Sequence, residues 1–129
     1  MSRAGREQRW VAKLQGQYVR FALEYWEGKL PTLPIRVSWR MRTRVAQLEW
    51  TRVALEPVEI SINGRDILRF GWKAVREALL HEMVHVWQCR HGIAPSHGTL
   101  FQAEATRIGI SPEATERLRP LRRRRGSSP

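Results

Sequence analysis

All four histidines of the chain lie between residues 81 and 97. Two of them, His81 and His85, flank a glutamate in the pattern H-E-x-x-H. On an α-helix, residues four apart are rotated by only about 40° and lie about 6 Å apart along the axis, so both imidazoles can reach one tetrahedral ion. Such a pair holds zinc, and the intervening glutamate, here Glu82, is not a ligand but a base for the water on the metal. The setting supports this chemistry. Between Ala78 and Trp87 the only charged residue is Glu82, set among Leu79, Leu80, Met83, Val84 and Val86. Burying two imidazoles and a carboxylate in so apolar a helix costs free energy unless a metal or a hydrogen-bond network satisfies them. The plainer alternative is a pair of satisfied core histidines beside a solvated glutamate.

A catalytic zinc site takes three protein ligands and leaves the fourth position for water. Three candidates follow His85, at six, twelve and nineteen residues: His91, His97 and Glu104. The first helix stop is Gly92, which leaves His91 about 9 Å along the axis from His85 and about 120° away in rotation, directed elsewhere. His91 is then a candidate to support a ligand imidazole or to donate to an oxyanion, or a plain surface histidine. Glu104 is a candidate acceptor for a ligand imidazole, or else the ion-pair partner of Arg107. Spacing alone does not choose between His97 and Glu104 as the third ligand.

The run from His81 to Gln88, a Gly/Pro-containing turn, His97-Gly98 with Phe101, and Arg107-Ile108-Gly109 together resemble the SprT-like domain, the metalloprotease domain also found in Spartan. The resemblance spans roughly residues 30–110. It implies a zincin-like α+β fold, one Zn²⁺ per chain held by His81, His85 and the H-G-x-x-F histidine His97, and Glu82 as catalytic base. It also implies the substrate class: proteins bound or covalently crosslinked to DNA, hence a metalloendopeptidase of DNA–protein crosslink repair. Many family members add a cysteine-rich zinc ribbon, for which the single Cys89 is insufficient.

Positioning these residues requires a frame, and the periodicities supply one. Trp10, Val11, Leu14, Tyr18, Phe21, Ala22 and Tyr25 recur at three and four, predicting an amphipathic helix over 6–27. From Leu33 to Gly64 the period becomes two: Ile35, Val37, Trp39; Ala46, Leu48, Trp50; Val58, Ile60, Ile62. Three short strands follow, forming an antiparallel sheet, with Asn63-Gly64 closing the last strand and both tryptophans in the core. The active-site helix is predicted over 71–91 and a further helix over 98–109, with Phe101 as its core anchor. The metallopeptidase domain is placed at 1–110. Residues 111–129 are read as a short helix beginning at Ser111-Pro112 and an Arg-rich disordered tail.

Composition sets the partners. The net charge of +11 points to a polyanion, most simply nucleic acid, although 20 of 23 basic residues are Arg and base composition alone can skew that choice. Arg36, Arg40, Arg42 and Arg44, near Trp39 and Trp50, are candidate DNA contacts, as are Arg122, Arg123, Arg124 and Arg125 in the tail. No apolar run is long enough for a membrane, no secretory leader is evident, and a lone cysteine suits a reducing compartment. The expectation is a monomeric cytoplasmic protein, nucleoid-associated if bacterial, acting on protein substrates. A zinc-stabilised DNA-binding or regulatory protein without significant proteolysis is the alternative.

Overall fold

The computed structural model describes residues 2–112. The chain is α+β, with four helices and a small three-stranded sheet in the order α1 (Arg3–Trp26), β1 (Ile35–Ser38), β2 (Ala46–Thr51), β3 (Glu56–Asn63), α2 (Gly64–Phe70), α3 (Trp72–Arg90) and α4 (Thr99–Ile108). Among the described residues no helix is long and apolar enough to cross a membrane. The proposed helix after Ser111 and the arginine tail with Arg122–Arg125 lie outside the described residues, apart from Ser111 and Pro112 themselves.

The amphipathic first helix forms a turn earlier than its apolar pattern predicts, because Ser2 caps it by accepting from the Gly5 N–H. Leu14, Tyr18, Ala22 and Trp26, spaced by four, are its buried stripe.

The sheet is mixed rather than antiparallel. Its order is β1-β3-β2, with β1 parallel and β2 antiparallel to the central β3. Period-two alternation is the same in both arrangements, so it could not distinguish them. What decides the order is the segment 39–45, which carries the chain from one edge of the sheet to the other before the β2–β3 hairpin returns to the middle. The register stacks two apolar rows, Ile35–Ile60–Leu48 and Val37–Ile62–Ala46, on the buried face. α3 packs against β2 and β3, and α1 against β1. Trp39 and Trp50 are half-buried at the margin of this core, not inside it.

Asn63-Gly64 does close β3, and it does so by starting a helix. The Asn63 side chain accepts from Arg65 N and so caps α2, while its amide donates to Met41 O (3.2 Å) and Arg44 O (3.1 Å). One buried side chain thus starts a helix and pins the arginine-bearing loop. Gly71, at φ 85° and ψ 173°, then breaks α2 from α3, in a backbone region essentially closed to other residues.

Candidate metal centre

α3 is buried nearly all round: Val75, Leu79, Met83, Val84 and Val86 have no exposed surface. His81 and His85 stand on one side of it, as the four-residue spacing requires. The helix ends at His91, the chain turns through residues 92–98, and His97 returns over the two helical imidazoles just before α4 begins. One ligand nitrogen from each of His81, His85 and His97 lies within 4.8 Å of the others. His81 Nε2 is 3.1 Å from His97 Nε2, and His85 Nε2 is 3.2 Å from it. Tetrahedral Zn–N bonds of about 2.0–2.1 Å would set ligand nitrogens about 3.3 Å apart, so these separations fit a shared ion.

The hydrogen-bond network around Gln88 sets the tautomer of His85. Gln88, fully buried one turn beyond His85, donates from Nε2 to Ser96 O (3.2 Å) and accepts at Oε1 from Ser96 N (3.3 Å). These two bonds fix which end of the amide is oxygen. The His85 nitrogen 2.8 Å from Oε1, Nδ1, must therefore carry the proton, which leaves Nε2 with a lone pair directed into the cluster. Beneath the three rings lies Phe101, whose ring centroid is 4.8 Å from His81 and His85 and 4.9 Å from His97. It confines all three.

Electrostatics keep the imidazoles neutral. Burial, then the neighbouring histidines and Arg44, lowers His81 to about 3. Burial brings His85 down to about 4, against a raising hydrogen bond from Gln88 and with help from His97 and Arg44. His97 is lowered too, by burial and by Arg44. Neutral imidazole is the form that ligates a metal.

Glu82 is buried beside this cluster. Its Oε1 accepts the Leu48 N–H at 2.9 Å, from β2 at the edge of the sheet. Burial pushes its carboxyl up to about 8, while the Leu48 bond and Arg44 pull the other way.

The remaining candidates are placed elsewhere. His91 lies exposed at the end of α3, with Nδ1 2.9 Å from Trp87 O and its ring against Trp87, outside the cluster. Glu104 does not orient a ligand imidazole. It accepts from Trp26 Nε1 (2.8 Å) and from Arg107 Nε (2.7 Å), and Arg107 also donates to Tyr25 O, so the pair ties α4 to the end of α1. Burial opposes its ionisation, but the bonds from Arg107 and Trp26 prevail and hold it below the usual carboxylate range. Arg36 lies on the exposed side of β1, 3.8 Å from Glu59. Arg40, Arg42 and Arg44 are exposed on the loop pinned by Asn63, and only Arg44 acts on the histidines. Gln88 was the residue sequence reasoning passed over; its place three residues after His85, on the same helical face, was the available signal.

The model of the SprT-like family matches residues 14–119, a stretch that contains every residue of this cluster. The chain belongs to the SprT-like family. No curated protein and no solved structure matches it. Across this SprT-like domain, the imidazoles of its H-E-x-x-H helix and of its H-G-x-x-F turn form one three-histidine group that could hold a metal ion.

Proposed function

We propose that this SprT-like protein is a zinc metalloendopeptidase with a zincin-like active site, associated with DNA and acting on DNA-bound or DNA-crosslinked proteins. The observation that carries the peptidase reading is the meeting of three neutral imidazole nitrogens beside a buried carboxylate that is not one of them. An all-nitrogen donor set of three suits zinc and leaves a position open. When bound there, zinc supplies Lewis acidity toward a water and a peptide carbonyl.

The chain's own residues do the rest. His85 is held in its ligating tautomer by Gln88, and His97 is held over it by the Ser96 bonds to the same amide. Glu82 is fixed through Oε1 by the Leu48 N–H, so its other oxygen remains to take a proton from water and deliver it to the leaving amine. With a cation at the three Nε2 atoms, Glu82 ionises more readily than burial alone allows. β2 lies beside the site at a sheet edge, where an extended substrate segment can pair with its main chain.

DNA association draws on the net charge of +11 and on the family. The alternative, a metal-stabilised DNA-binding regulator, has one observation in its favour: the Leu48 bond gives Glu82 a structural use. Metal analysis with a DNA-dependent cleavage assay on the intact chain and on E82Q decides between them. The peptidase reading expects a stoichiometric metal in both proteins and cleavage only in the first; cleavage in neither supports the regulator.

A further inference from the structure

Away from the metal centre, three tryptophans from distant parts of the chain meet at one face. Trp10 of α1 lies 5.9 Å from Trp39, at the end of β1, and 6.0 Å from Trp72, at the start of α3. All three are only half-buried. Each carries a cation: Arg3 at 4.5 Å over Trp39, Arg6 at 5.1 Å over Trp10, and Lys13 at 4.2 Å over Trp72. A guanidinium stacked on a ring keeps its N–H groups free at the edges, where a phosphate can accept from them.

The face is rigid and strongly one-signed. Trp39 is seated so closely on α2 that a Cβ at Gly64 would come within 2.9 Å of its ring, and its carbonyl accepts from Arg65. Residues 2–13, 39–45 and 64–73, which build the face and the loop leading from it, hold ten Lys or Arg and two acids, Glu7 and Asp66. Glu7 is already engaged by Trp39 Nε1 and Arg3. The loop held by Asn63 runs from Trp39 to Arg44, whose charge is felt by all three ligand histidines.

We propose that the Trp10–Trp39–Trp72 face, with Arg3, Arg6 and Lys13 fixed on its rings, is a docking platform for single-stranded nucleic acid, and that the 39–45 loop leads the strand toward the metal centre. Half-exposed rings interleaved with cations are what unpaired bases and their phosphates require; a duplex keeps its bases stacked and has no use for the rings. This platform rests on the DNA-association part of the function proposed above and is independent of its peptidase part.

The test measures binding of an oligothymidylate, and of the same strand annealed to its complement, to the full chain and to the R3Q/R6Q/K13Q variant, across a salt series. Circular dichroism and metal content of the variant report folding, and single substitutions replace the triple one if those change. For the intact chain, the single strand should bind tighter than the duplex and quench tryptophan emission. In the variant the log–log salt slope on single strands should be shallower by about two, so that affinity lost between about 50 and about 200 mM salt shrinks roughly 20-fold. An unchanged slope in a folded variant that still binds overturns the platform but leaves DNA association standing. Duplex preferred without quenching overturns the single-strand occupant. Absence of any salt-sensitive binding by the intact chain removes the DNA association itself, and the platform with it.

Discussion

The metal centre and the tryptophan face use nitrogen in opposite ways. At the centre, burial and mutual proximity keep three imidazoles uncharged, and Gln88 and Phe101 fix their orientation. At the face, permanently charged side chains lie over aromatic rings, Arg3 with Glu7 as a further partner and Lys13 exposed to solvent. The first suits a cation and should respond to salt only weakly, through Arg44; the second suits an anion and should be governed by salt. Arg44, on the loop that leads away from Trp39, is the charge that reaches all three histidines. Its charge is unhelpful to a bound cation and useful to a phosphate.

The contrast breaks most sharply at the ligands. Replacing His97 by Ala should lower metal occupancy as much as H81A does, whereas H91A and E104A should keep most of the metal, as measured by elemental analysis after dialysis. E104A should instead cost stability, about 1–3 kcal/mol, because Trp26 Nε1 loses its acceptor and Arg107 its partner. A full metal complement in H97A with loss in E104A would sink the three-histidine assignment.

Glu82 offers a test with a sign. Its carboxyl is at about 8 in the metal-free fold against 4.5 ordinarily, so folding takes up a proton between those values and stability falls as pH rises through that window. Metal-free E82Q should therefore match the parent near pH 4 and exceed it near pH 9 by on the order of a few kcal/mol in thermal or urea unfolding. The lowered histidines titrate in both proteins and cancel. Equal stability at high pH would show that the buried carboxyl ionises freely.

Gln88→Ala should loosen the metal by about 10–100-fold, since His85 loses the acceptor that sets its tautomer. Competition against a chromogenic chelator reads this directly. The smallest effect belongs to Arg44, exposed and therefore screened. R44Q should tighten metal a few-fold at low salt, and the gain should fade as salt is raised. Loss of metal in R44Q would mean that the loop supports the site by shape and not through its charge.

Much of this was legible in the sequence, for reasons that differ by element. His81 and His85 were readable because helix geometry alone brings positions four apart together. His97 was reachable only through the family resemblance, since the path of residues 92–96 is set by the Ser96 bonds to a buried Gln88, a tertiary fact. Sheet direction escaped because alternation carries no polarity, and α2 escaped because Asn63-Gly64 serves equally as a hairpin turn or as a helix cap with its first residue. The three tryptophans of the face come from residues 10, 39 and 72, and no local pattern links them.

The double bond between Gln88 and the Ser96 backbone has a consequence for how the site comes apart. The same amide that holds the turn bearing His97 also dictates where the proton sits on His85. Opening residues 92–97 thus removes one imidazole and releases the tautomer of another in a single local unfolding event. Departure of an ion then has one gate and one free energy, readable in the hydrogen exchange of the Ser96 amide, rather than three independent steps.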